Sequence, residues 1–197
     1  MRLTDGYHSV PAGKIADVQT FLQMREPPTV LRPAPDNGWT LERVQRPDLT
    51  RYRALLHRVG DDYLWAVRVR TPDAELERFL RDPSVEAYLL VTGGGDEGIL
   101  ELDFRVAREC ELSLFGVVRT LVASGAGRWL LNKGIEIAWA HPIDRFWLHT
   151  CNLDHPNALA FYQRSGFSPF KREVEIYDDP RVTGVVSKDA APHVPIL

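Results

Sequence analysis

Cysteine is scarce in this 197-residue chain: there are two, Cys110 and Cys151, in neither a CxxC pair nor a Cys/His cluster with zinc-ligand spacing. No metal site is therefore expected, and the two thiols read as separate, reduced, packed side chains of a cytosolic protein. Long apolar runs are missing too. Nothing approaches the length of a bilayer span, and Met1-Arg2-Leu3-Thr4-Asp5-Gly6 has no apolar stretch behind its charge. No membrane partner is expected, and a cytoplasmic location follows by default. An excess of one charge is also absent. The 24 basic and 27 acidic residues are mixed along the chain, for a net charge of −3, so there is no basic stripe to track a phosphate backbone and no nucleic-acid ligand is expected.

What is present, 44% hydrophobic and 26% charged residues, is the profile of one globular domain with a short extra segment. A chain this long buries roughly 70% of its unfolded surface, enough for a core without disulfide or metal. Internal repeats are absent. Ala16, Val18, Thr20, Leu22 and Met24 alternate with polar residues, interrupted by Phe21, which is the period of a half-buried strand. Pro27-Pro28, Pro33, Pro35 and Asn37-Gly38 then form a turn-rich connection. The reading divides the chain into an N-terminal extension over 1–38, a main domain over 39–178 and a tail over 179–197.

Within the main domain, 39–44 reads as a strand. Asp48-Leu49-Thr50 opens a helix with Tyr52, Leu55, Leu56 and Val59 on one face, stopped by Gly60. Arg68-Val69-Arg70 looks like the wet face of a strand. Pro72-Asp73 begins a second helix carrying Leu76, Phe79 and Leu80. The apolar runs 87–92, 98–106 and 110–118, punctuated by Gly93-Gly94-Gly95 and Ala107-Arg108, predict three consecutive antiparallel strands. Leu130, Leu131, Ile135 and Ala138 mark a further helix, 145–151 a strand, and Leu159, Phe161 and Tyr162 a helix with Pro156 in its first turn and Gly166 as its stop. The stretch 167–176 is the last strand or strand pair. The tail has no clear period and is expected to wrap the surface or be mobile. The tryptophans, Trp39, Trp65, Trp129, Trp139 and Trp147, read as scattered core or half-buried residues.

One segment combines a strand, a glycine-rich turn and a helix start: Ser124-Gly125-Ala126-Gly127-Arg128 before Trp129. The first N–H groups of a helix lack partners and its dipole favours negative charge, so this order makes an anion site. It is neither a GxxxxGK[ST] phosphate loop nor a GxGxxG fingerprint. Taken with Ala158, Tyr162, Gly166 and Phe167 in an Ala-x-x-x-Tyr-x-x-x-Gly-Phe spacing, the segment resembles the GNAT superfamily of acyl-CoA-dependent N-acetyltransferases over roughly residues 39–178.

The resemblance implies an α/β fold with a mixed, mostly antiparallel central sheet flanked by helices, here with an extra N-terminal strand. It implies transfer of an acetyl group from acetyl-CoA, as co-substrate, to a primary amine of a small molecule or protein. Backbone groups of Val117 and Val118, with Phe115 on the same strand, would take the acetyl carbonyl and pantetheine arm. Ser124, Gly125, Ala126, Gly127, Arg128 and Trp129 would cradle the pyrophosphate, and Tyr162 would protonate the departing thiolate. Glu111 stands where histone-acetylating members keep a catalytic glutamate. By the two-residue period Glu111, Ser113, Phe115 and Val117 share a face. His149 is the second candidate base, with a suitable reference pKa; Glu101 and Asp103 rank below it. The chain departs from the family where Val122 replaces the usual Gln or Arg and where His155 stands seven residues before Tyr162 in place of Asn, with Asn157 nearby as a second CoA contact. A non-catalytic acyl-CoA-binding module, a plain nucleotide-binding domain, and pairing of the extra strand within a monomer or across a homodimer all stay open.

Overall fold

The computed structural model describes residues 4–35 and 37–197; residues 1–3, cited above for the N-terminus, lie outside them. Seven strands, β1 (Lys14–Met24), β2 (Thr40–Arg43), β3 (Val85–Thr92), β4 (Gly95–Asp103), β5 (Glu109–Val117), β6 (Arg145–Cys151) and β7 (Ser168–Asp178), make one sheet. Their spatial order is β2-β3-β4-β5-β6-β1-β7. All neighbours are antiparallel except β5 and β6. The helices are α1 (Leu49–Gly60), α2 (Val67–Arg70), α3 (Asp73–Leu80), α4 (Ala126–Ala140) and α5 (Ala158–Arg164). This is the mixed, mostly antiparallel α/β architecture that the sequence led one to expect.

Apolar periodicity explains the layers. Leu130, Leu131, Ile135 and Ala138 of α4 bury against Leu100, Leu102, Leu112, Phe146 and Leu148 on one sheet face. Tyr52, Leu55, Leu56 and Val59 of α1, with Leu76 and Leu80 of α3, cover Ala87, Leu89 and Ile99 on the other. Asp48 caps α1 by accepting the Arg51 N–H at 3.0 Å. The N-terminal strand β1 is not peripheral: it lies between β6 and β7, bonded to both. Its alternation holds in the second half, where Leu22 and Met24 are buried, but is inverted in the first, where Val18 is exposed while Asp17 and Gln19 are buried; the register shifts between Phe21 and Leu22.

Three local expectations are corrected. Arg68-Val69-Arg70 belongs to the one-turn helix α2, since the Arg53 guanidinium gathers the carbonyls of Arg68, Val69 and Thr71, which a strand would splay apart. Pro156 precedes α5 and is not in its first turn, because the chain first makes a turn closed by the Ala158 N–H on the His155 carbonyl at 2.8 Å. The shared face of Glu111, Ser113, Phe115 and Val117 is broken by a bulge: Leu102 pairs with Leu112 but Glu101 with Leu114. Phe115 and Val117 therefore join the α4 side of the core, while the Ser113 hydroxyl bonds Glu101 on the opposite side.

Of the two outcomes held open for the tail, it wraps. Val186, Ala190 and Ala191 pack on Ile15, Leu64 and Leu153. Arg181, 1% exposed, pairs with Asp179 at 2.7 Å and donates to the carbonyls of Ala190, Ala191 and Val194. Every charge-bearing atom buried there thus has a partner, which is what lets an arginine lie in the interior.

Candidate active site

The parallel pair β5 and β6 is in register only from Glu109 to Glu111 against Arg145 to Trp147, after which the strands part. The opening is a cleft of about 600 Å³, lined by Phe115, Gly116 and Val117 of β5, the 121–128 loop, and Asp154 to Tyr162. Antiparallel ladders alternate which residues point their backbone groups at the neighbour. The Val118 N–H donates to the Glu97 carbonyl at 2.9 Å, so the N–H and C=O of Val117 point the other way, into the gap. Val118 itself is fully committed, since its carbonyl also accepts the Leu121 N–H at 2.9 Å. Of the two residues, Val117 is the one whose backbone groups face the cleft.

At the far wall, Gly125 has φ +95°, and a Cβ there would lie 2.6 Å from the Pro35 ring, so glycine is required. The Ser124 hydroxyl accepts the Ala126 N–H at 3.2 Å. The N–H groups of Gly125, Gly127 and Arg128 have no acceptor among the described residues, and a Cβ at Gly127 would meet nothing within 4 Å. Among the described residues the buried Arg128 Nε–H has no partner, while its Nη1 donates to the Pro33 carbonyl at 3.1 Å. Free donors at the start of a 15-residue helix, beside open space, suit a pyrophosphate. His155 accepts the Asn157 N–H at 3.1 Å through Nδ1, and both line the cleft. Ala126 is buried and Trp129 packs edge-on to Trp39; neither lines it.

Tyr162 lines the cleft with its ring against Phe115, Phe161 and Phe167. Burial, and then the Asp154 charge, hold its phenol protonated far above the ordinary range. Asp154, which the sequence analysis did not single out, accepts from the Thr150 hydroxyl, the Cys151 N–H and the Trp65 indole at 2.6, 2.9 and 2.8 Å. Trp65, read from sequence as a scattered aromatic, also lines the cleft.

The candidate bases lie on the sheet face opposite α4. Burial and then the Asp103 charge raise Glu111 to about 7, against the opposing Arg68 and Arg105. His149 Nε2 is 4.0 Å from Glu111 Oε1. The imidazole Nδ1 lies 2.9 Å from the Gln19 carbonyl oxygen, and the Gln19 amide donates to Asp17 and Glu175 at 3.2 and 3.1 Å. That network assigns the ring proton to Nδ1 and leaves Nε2 with its lone pair toward Glu111. Burial lowers the His149 pKa, which keeps the ring neutral. The lesser candidates are occupied: Glu101, fully buried, binds Tyr52, Arg68 and Ser113, and Asp103 pairs with Arg105 at 2.6 Å. Both cysteines are free thiols. Among the described residues, no group of three or more His, Cys, Asp or Glu side chains is placed to hold a metal ion, and no helix is long and apolar enough to cross a membrane.

Comparison with solved structures shows the fold. A GCN5-related N-acetyltransferase from Sphaerobacter thermophilus is 15% identical with a TM-score of 0.60 over 88% of this chain and 53% of its own. A tandem GNAT protein from the clavulanic acid biosynthesis pathway is 19% identical, TM-score 0.59, over 83% and 54%. This chain thus spans little more than half the length of either. An aminoglycoside acetyltransferase from an uncultured soil metagenomic sample is 18% identical, TM-score 0.54, over 66% and 89%. No curated relative matches the chain. The family model for the GNAT acetyltransferase family matches residues 56–167, more than half the sequence, and the chain belongs to that family.

Proposed function

We propose that this chain moves an acetyl group from acetyl-CoA to a primary amine by direct attack within a ternary complex. The observation that carries the reading is the cleft itself: unpartnered N–H groups at the α4 start, the outward backbone of Val117 and the buried Tyr162 phenol line one opening between parting strands. Bound acetyl-CoA supplies a thioester whose C–S bond breaks as a C–N bond forms, giving an amide and free CoA thiol.

Each residue then has a task. Gly125, Gly127 and Arg128 bind phosphate oxygens, and the Val117 N–H takes the thioester carbonyl as charge builds on its oxygen. A protonated amine cannot attack, so Glu111, or His149 through Nε2, accepts the ammonium proton directly or through water. Tyr162 gives its proton to the departing sulfur. Its high pKa is no obstacle, because the same apolar walls that destabilise a phenolate destabilise a thiolate. The experiment is thiol release from acetyl-CoA against a panel of amino acids, polyamines, aminoglycosides and lysine peptides. Amine-dependent release by at least one member supports the reading, whereas acetyl-CoA binding without release by any of them overturns it in favour of a binding module.

A further inference from the structure

Trp65 lines the cleft and is held there by a hydrogen bond as well as by packing. Residues 61–65 leave α1 in a tight turn, closed by the Leu64 N–H on Asp61 and the Trp65 N–H on Gly60, both at 3.1 Å. Leu64 takes φ +59°, a left-handed conformation unfavourable for a branched side chain. It is held there by burial among Ile15, Leu153, Val186, Ala190 and Ala191. The reversal at Leu64 sends one side chain into the tail cluster and the next, Trp65, back into the cleft.

The indole is fixed from several directions. Its Nε1–H donates to Asp154 Oδ1 at 2.8 Å, and Asp154 is itself immobilised by Thr150 and Cys151 through Oδ2. Two glycines make room for it: a Cβ at Gly60 would lie 2.7 Å from Trp65 Cβ, and one at Gly116 would lie 3.0 Å from Trp65 Cη2. The ring is thus hydrogen-bonded at one edge and seated against the Gly60 and Gly116 backbone on its other sides. Trp65 bridges the α1 side to the β6 side across the separation of β5 and β6.

We propose that Trp65 is the wall that sets the length of the acyl group, restricting it to acetyl; the inference rests on the acyl-CoA reading of the cleft. A thioester with its phosphates at Gly127, its sulfur beside Tyr162 and its carbonyl at Val117 brings its acyl carbon beside Gly116, the position that Val59 and Trp65 crowd and with which both line the cleft. A longer chain must displace an indole that is hydrogen-bonded at one edge and backed by strand at the other. Rigid apolar walls discriminate added methylenes by about tenfold or more.

The test is isothermal titration of CoA, acetyl-CoA, butyryl-CoA and hexanoyl-CoA into the wild type, Trp65→Ala and Trp65→Phe. In the wild type, hexanoyl-CoA should bind at least about tenfold more weakly than acetyl-CoA. Trp65→Ala should abolish that ratio, and Trp65→Phe should relieve it for butyryl-CoA first. Free CoA, carrying no acyl group, reports whether each variant keeps a folded cleft; should the alanine variant fail to fold, the phenylalanine variant decides. Chain-length-independent binding in the wild type, or a ratio unchanged in a variant that binds CoA, overturns the role of Trp65 alone. No binding of any CoA compound to the wild type overturns the acyl-CoA reading and this inference with it.

Discussion

Replacing Glu111 by glutamine should make the protein more stable at neutral pH, relative to the wild type, than it is in acid. The Glu111 carboxyl, 27% exposed, is raised from an ordinary 4.5 to about 7, first by burial and then by Asp103. Its folded pKa lies above its unfolded one, so the folded state binds the extra proton between the two values. Wild-type stability therefore falls as pH rises from about 4.5 and the loss is complete above about 7. At about 1.4 kcal/mol per pH unit, that window is worth about 3 kcal/mol. Glutamine does not titrate, so in urea denaturation the stability of the variant relative to the wild type should rise by about 3 kcal/mol between pH 4 and pH 8. In thermal melts the same gap is roughly 6–12 °C for a chain of this size. Any packing or hydrogen-bond change in the amide is independent of pH and only offsets the curve. A stability difference constant from pH 4 to pH 8 would refute the burial and Asp103 argument.

Gly125→Ala places a Cβ at φ +95° and 2.6 Å from the Pro35 ring. It should cost about 1–3 kcal/mol in denaturation and weaken acetyl-CoA in titration calorimetry, and wild-type behaviour in both would contradict the close approach of the 30–35 segment. Tyr162→Phe keeps the ring packing on Phe115, Phe161 and Phe167 but removes the proton. Steady-state kinetics should show kcat lower by about 10²-fold or more, with acetyl-CoA affinity nearly unchanged; an unaltered kcat would remove Tyr162 from the chemistry.

The layers were legible because periodicity and punctuation act locally. The runs now seen as β3, β4 and β5, the Gly60 stop and the α4 stripe each follow from a few neighbouring residues. The glycine turn and the Tyr162 spacing were legible for the same reason, since each lies within one short segment. What sequence did not disclose depends on distant partners. The insertion of β1 between β6 and β7 is a contact across most of the chain. Asp154 carries no local signal in the sequence, and its place in the cleft rests on its bond to Trp65, just beyond the end of α1. The bulge at Ser113, which separates Glu111 from Phe115 and Val117, is set by the partner strand and leaves no mark on the alternation of β5 alone. Arg68 alternated with valines as a strand residue would, yet its guanidinium reaches Glu101 at 3.0 Å in the interior.

Thermal unfolding with and without acetyl-CoA, with ATP and NAD as controls, tests the central claim most directly. A ligand at 100 times its dissociation constant adds about 2.7 kcal/mol, a shift of roughly 5–10 °C for a chain of this length. The account predicts that shift with acetyl-CoA and none with ATP or NAD, because Val117 and Tyr162 complement a thioester arm that those nucleotides lack. A midpoint unmoved by acetyl-CoA, or moved equally by ATP, would contradict it.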